Sequence, residues 1–144
     1  MKDILMDILN LIKSDAYAHS LVKENVWIIN YPNPTDMKVP YIVLDELAEP
    51  MPVEYASNDN MGLSYLVTVD VFVPSSSKTN SYYTCRDLSY HISRLLFEEY
   101  GLKNTASSKP EYDEEVRMYR RSRTYKNSYY RKDLNIDGRS KQEL

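Results

Sequence analysis

The chain has 144 residues, 18 basic and 21 acidic side chains, 42% hydrophobic residues and a single cysteine, Cys85. That length suits one core rather than two lobes, one cysteine excludes an internal disulfide and any multi-cysteine metal cluster, and a net charge of -3 gives no general pull toward nucleic acid. No apolar run reaches the ~18 residues of a membrane span, and Met1 is followed by Lys2 and Asp3 rather than a long apolar stretch, so a soluble protein of a reducing compartment, without a membrane partner, is expected.

From Asp3 to about Val22, the side chains Ile4, Leu5, Ile8, Leu9 and Ile12 recur at helical spacing with Asp7, Asn10 and Lys13 opposite. This predicts an amphipathic helix that stops near Ala16 or runs on to Lys23. Val26 to Ile29 is a short strand, closed by Asn30 and the Pro32-Asn33-Pro34 loop. Tyr41 to Ala48 is strand-like and bracketed by Pro40, Pro50 and Pro52; proline cannot donate to a ladder, so this strand ends at an edge or a bend. Glu54 to Gly62 is rich in turn formers and predicts a long, mobile hairpin. In Leu63 to Val73 the residues Leu63, Tyr65, Val67, Val69, Val71 and Val73 alternate with Ser64, Thr68 and Asp70, the pattern of a central strand with one face buried.

After a serine-rich loop, Ser81 to Tyr100 is the second helix: Thr79, Asn80 or Ser81 can cap it, Leu88, Ile92, Leu95 and Leu96 line one face, and Gly101 stands where a left-handed cap is wanted. Asn104 to Pro110 reads as a loop and Glu111 to Glu115 as an acidic lead-in. Val116 to Tyr125 and Ser128 to Ile136 are two further strand candidates joined at Lys126-Asn127, and Asp137 to Leu144 is a disordered tail. Helix, strands, helix, strands, without regular alternation, predicts an α+β fold: one domain over residues 1–136, with a mostly antiparallel β-sheet packed against two main helices.

Candidate chemistry is sparse. His19 and His91 have no partner at metal-ligand spacing, and Cys85 and His91 point to different sides of one helix. The acidic stretch of Asp45, Glu46, Glu49, Glu54 and Asp59 lacks the glycine and terminal glutamate of a calcium loop. Three glycines, at 62, 101 and 138, cannot build a phosphate-cradling loop. No catalytic residue, metal or cofactor is therefore expected. Charge, by contrast, is strongly segregated. Residues 117–132 carry Arg117, Arg120, Arg121, Arg123, Lys126, Arg131 and Lys132 with no acid, interleaved with Tyr119, Tyr125, Tyr129 and Tyr130. Residues 39–77 carry six acids and no base. Three readings stay open: complementary faces of neighbouring subunits, with Arg117, Tyr119, Arg120, Arg121, Arg123, Tyr125 and Arg131 meeting Asp45, Glu46, Glu49 and Glu54; pairing across strands within one subunit; or a small nucleic-acid-binding module on the 117–132 hairpin.

The succession MKDILMDILNLIKS, VWIINYPNPTDMKVPYIVLDEL, LSYLVTVDVFVP, LSYHISRLLFEEYGL and RMYRRSRTYKNSYYRKDLNI resembles the tail terminator, or tail completion, proteins of long-tailed bacteriophages over about residues 1–136. The resemblance rests on the order of elements and on phrases such as PYIV and the Y..C.DL...I...L of the second helix, and other head-tail connectors and minor tail components share this size and composition. It implies a sheet flanked by helices and six copies in a homo-oligomeric ring at the head-proximal end of the tail. Such a ring binds the tail tube protein, ends tube growth and joins the head's connector or stopper protein, with DNA only passing through its lumen. Localisation would be the virion neck, after assembly in the host cytoplasm. No residue role is inherited from the family.

Overall fold

The computed structural model describes residues 3–56, 59–76 and 80–130. Its first two helices, α1 (Ile4–Ser14) and α2 (Ala16–Val22), meet at Asp15. That residue adopts an extended conformation, and its N–H still donates to the carbonyls of Leu11 and Ile12 while its carboxylate accepts from the Ala18 N–H at 2.9 Å. One aspartate thus closes one helix and caps the next, which is why the amphipathic pattern loses regularity there.

Strand β1 (Val26–Ile28) runs parallel to β2 (Tyr41–Ala56), and β2 is antiparallel to β3 (Asp59–Pro74). Helix α3 (Ser81–Tyr100) follows, then the short strands β4 (Lys103–Ser107) and β5 (Glu111–Asp113) and the long β6 (Met118–Tyr130). The sheet order is β1-β2-β3-β6-β4, with β5 also on the outer side of β6. All pairings except β1 with β2 are antiparallel, and the helices pack on one face, so the fold is α+β as the element order implies. Val67, Val69 and Val71 of β3 meet Ile8 and Ile12 of α1 and Leu88, Ile92 and Leu96 of α3 in the main core.

Several boundaries differ from the sequence reading, each for an identifiable reason. The two expected strands around Lys126-Asn127 are one strand within the described residues: β3 offers a partner to every residue from Met118 (opposite Pro74) to Tyr130 (opposite Gly62). A long ladder outweighs a two-residue turn signal that lacks glycine. The supposed 104–110 loop contains β4, whose residues are all exposed and so carry no apolar alternation to read. The supposed long hairpin between Glu54 and Gly62 is mostly strand, since β2 and β3 pair as far as Ala56 and Asp59. Strand β2 also runs past Ala48 through Pro50 and Pro52, with register shifts on either side of Ala48. No strand flanks that part of β2 on its other side among the described residues, so prolines without an N–H cost no ladder bond when their nitrogens face outward. Arg131, the end of the expected strand to Ile136, and the tail from Asp137 to Leu144 lie outside the described residues.

Gly101 ends α3 with φ of 65°, and an added Cβ would stand 2.8 Å from the Asn127 side-chain nitrogen, which donates to the Tyr100 carbonyl at 2.8 Å. Gly101→Ala should cost about 1–2 kcal/mol, read as a lower midpoint in thermal or urea unfolding. Gly101→Asn should lose less, because asparagine tolerates the left-handed conformation.

Candidate assembly surface

The acids of β2 and the basic strand β6 are separated by β3 and cannot pair with each other directly, but Asp70 of the same acidic segment lies on β3, next to β6, and does meet a β6 arginine. Alternation divides β6 instead. Tyr119, Arg121, Arg123 and Tyr125 stand opposite Val73, Val71, Val69 and Val67 and share the helix-covered face, whereas Arg120 stands opposite Phe72 on the other.

Each of the three central arginines is engaged within the chain. Arg121 lies 5.5 Å over the Tyr82 ring and reaches its hydroxyl at 3.3 Å; Arg123 donates through Nε to Ser89 of α3 at 2.9 Å. On the opposite face Arg120 donates to Oδ2 of Asp70 at 2.9 Å, and the Tyr31 hydroxyl donates to the same oxygen at 2.6 Å. Asp70 is 1% exposed. Its Oδ1 and the Arg120 Nε have no partner among the described residues, so the contact is made at one point and is not a bidentate fork. Burial and the Asp70 carboxylate hold the Tyr31 hydroxyl well above the usual phenol range, which keeps it a donor. Around this pair Tyr41 stacks on Phe72 at 4.6 Å and its hydroxyl meets the Met118 sulfur at 3.3 Å, forming a second small core with Val43. An open depression of about 400 Å3 beside it is lined by Phe72, Tyr112, Val116, Met118 and Arg120.

The remaining expected residues are on the surface. Glu46 and Glu49 are exposed on β2, beside the half-buried Asp45; Arg117 is exposed before β6, Tyr119 is half-buried and Tyr125 is buried with its hydroxyl 2.6 Å from Ser93. The backbone of Glu54 continues β2, and its side chain is outside the described set. Burial first, then the like charges of Asp3, Asp45 and Glu49, push the Glu46 carboxyl up. Cys85 is buried in α3, donates to the Val71 carbonyl at 3.6 Å and is pushed up to about 12 by burial, so it is a poor nucleophile. His91 pairs with Asp15 at 2.7 Å and packs edge-on against Tyr17. Burial acts against the charged Asp15, but hydrogen bonds from the Ala18 N–H and His91 outweigh it and hold that carboxyl low. Among the described residues no three His, Cys, Asp or Glu side chains gather as a metal site.

One surface escaped the sequence reading. Cys85, Leu88, Ile92 and Leu96 face the core from α3, and on its outer side Tyr83, Tyr90 and Phe97 are 48%, 60% and 48% exposed. Their spacing of seven residues places them in one row, about 21 Å from end to end at 1.5 Å per residue. Arg86 and Arg94 stand one turn either side of Tyr90, and Arg86 lies 4.6 Å over the Tyr83 ring. Beside this row a depression of about 400 Å3 lies between α2 and α3, lined by Tyr17, Asp87, Tyr90, His91 and Arg94. The heptad spacing of aromatic residues was the available signal, masked by the stronger aliphatic pattern of the inner face.

One solved chain with this architecture belongs to the virion of a native gene transfer agent particle: TM-score 0.61, 15% identity, covering 84% of this chain and 90% of that one. The fold is shared with a virion chain. A second solved structure, which carries no functional name, matches with a TM-score of 0.53 at 12% identity over 90% of this chain and 98% of its own. No family model and no curated protein matches the sequence. At such identities the likeness is one of fold, and it extends over nearly the whole length of both partners.

Asp70→Ala should cost about 3 kcal/mol, because it leaves Arg120 facing a carboxylate-sized gap, and Tyr31→Phe about 1.5 kcal/mol for one bond to a charged acceptor; urea unfolding measures both. Because folding raises the Cys85 thiol above its ordinary 9.0, the protonated thiol stabilises the fold below pH 9, and that contribution is lost as pH rises toward 12. Cys85→Ala should flatten part of the fall in melting temperature between pH 9 and 11. In the folded wild type at pH 8 the thiol should resist a disulfide reagent that modifies it rapidly in urea.

Proposed function

We propose that the chain is a structural protein of a phage-like virion, acting as the ring that ends the tail tube and joins the tail to the head. The observation that carries this reading is the fold shared with a gene transfer agent virion chain across most of both molecules. Element order and sequence phrases typical of tail terminators support the finer assignment. In this reading several copies, six by the resemblance, close a ring; one rim meets the tail tube protein, the other meets the head's connector, and DNA passes through the lumen without sequence readout. Ring formation requires complementary surfaces on one subunit and no catalytic group.

The basic strand gives less support to a nucleic-acid module, because Arg120, Arg121 and Arg123 each contact groups of their own chain. Nucleic-acid surfaces need such side chains free to reach phosphates.

Sedimentation velocity and negative-stain microscopy, alone and with purified tail tubes, test the assignment. Rings of about six copies, or tubes capped at one end, are expected. A protein that stays monomeric at high concentration and ignores tubes overturns it.

A further inference from the structure

Beyond Leu44, strand β2 is an arm with an exposed margin. Strand β1 stops beside it because the chain turns sharply at Ile29: φ there is 66°, and the Asn30 N–H donates to the Ile28 carbonyl at 2.7 Å. The uncovered stretch exposes Leu47 (54%) and Met51 (60%) beside Glu46 and Glu49, two acids not paired with a base among the described residues. Pro50 and Pro52 deny this margin two N–H donors, so a neighbouring strand cannot simply extend the sheet. Whatever covers the arm does so with side chains.

The outer row of α3 has the complementary character. Tyr83, Tyr90 and Phe97 offer apolar surface, and Arg86 and Arg94 offer charge beside it. Among the described residues these arginines form ion pairs only with exposed carboxylates of their own helix, Asp87 at 2.9 Å and Glu98 at 2.7 Å. Such pairs contribute little and exchange readily. The opposite sheet edge offers no equivalent cover, since β4 reads KNTAS without a large apolar side chain and the exposed Tyr112 of β5 stands between Glu111 and Asp113, which would repel an acidic arm.

We infer that the β2 arm of one copy docks on the aromatic row of α3 in the next, Leu47 and Met51 packing among Tyr83, Tyr90 and Phe97 while Glu46 and Glu49 meet Arg86 and Arg94. The contact rests on the ring reading above and specifies its subunit interface. Two different surfaces of one chain meet, which makes the contact heterologous, as ring closure demands. Aromatic and arginine side chains are the usual anchors of such contacts. A further copy is favoured over an unrelated partner because the acidic apolar arm and the basic aromatic row occur together in one chain.

Two double variants test the inference. Tyr90→Ser with Phe97→Ser spoils the row and keeps the arm; Leu47→Ser with Met51→Ser spoils the arm and keeps the row. All four positions are exposed, so melting temperatures should stay near the wild-type value. Each variant alone should be monomeric, and an equimolar mixture should form a dimer and nothing larger, because only one intact pair of surfaces remains. As a second arm of the test, Glu49→Arg and Arg94→Glu should each weaken self-association, by roughly fivefold, and should recover together. If either double variant alone assembles like wild type, or the mixture stays monomeric while wild type forms rings, the inferred contact is wrong and the ring reading stands. If wild type forms no ring with or without tubes, the ring reading falls and this contact with it.

Discussion

A carboxylate buried in the middle of the central strand governs how this sheet can be arranged. Asp70 sits between Val69 and Val71, whose side chains face the helices, so its own side chain points to the opposite face, where it is 1% exposed. An unpaired charge there would cost several kcal/mol. Arg120 and Tyr31 answer it, and each answer constrains a different part of the chain. Arg120 holds β6 against β3 in a register that places the other arginines toward α3; Tyr31 fastens the 31–39 connection over the far face, where Met37 joins Tyr41, Val43 and Met118 in the second core. The sheet is therefore closed on both sides near Asp70 and left open along the arm beyond Leu44.

This arrangement changes the meaning of the charge segregation. The cluster on β6 is a composite: Arg120 neutralises a buried acid, and Arg121 and Arg123 lie along α3 with their heads on Tyr82 and Ser89. Long cationic side chains often cover apolar surface in this way while their ends find polar partners. Glu46 and Glu49 on β2 have no basic partner among the described residues, and the Glu46 carboxyl is pushed up first by burial and then by its acidic neighbours. Unpaired acids thus stand on the β2 arm beside its two exposed apolar side chains, Leu47 and Met51.

What the sequence made legible follows the strength of local signals. Helix α3 was readable to the residue because Asn80, Gly101 and an aliphatic period mark both ends and one face, and β3 because its alternation is nearly unbroken. The helix break at Asp15 was half visible, since the pattern loosens there without a proline or glycine to mark it. Strand β4 was not visible because its residues are all exposed and carry no alternation, and the unity of β6 was not visible because it rests on an unbroken ladder with β3 and not on a local pattern of its own. The alternation placed Asp70 with Ser64 and Thr68 on the face opposite the apolar one; its burial depends on Arg120, fifty positions away in the chain, and on Tyr31, thirty-nine positions away. Of the eleven residues expected at an interface, Glu46, Glu49 and Arg117 are plainly exposed, whereas Tyr125 is buried and Arg120, Arg121 and Arg123 are tied down.

Fourteen tyrosines against two phenylalanines then has two physical explanations, one for each environment. Inside, the hydroxyls join elements that are distant in sequence: Tyr125 reaches Ser93, Tyr129 the Tyr100 carbonyl, Tyr100 the Asp7 carbonyl and Tyr31 Asp70. Each makes a hydrogen bond that an aliphatic side chain could not make, from a ring that is buried in Tyr125, half-buried in Tyr100 and Tyr129, and exposed in Tyr31. Outside, Tyr83 and Tyr90 present ring faces whose hydroxyls are compatible with water. A row of leucines in their place would form an apolar patch prone to indiscriminate association before the correct partner arrived. Tyrosine buries comparable area on docking yet leaves the free subunit wettable. If this surface serves the proposed assembly, tyrosine is the more suitable residue there, and Phe97 at one end of the row is the one member of the three without a hydroxyl.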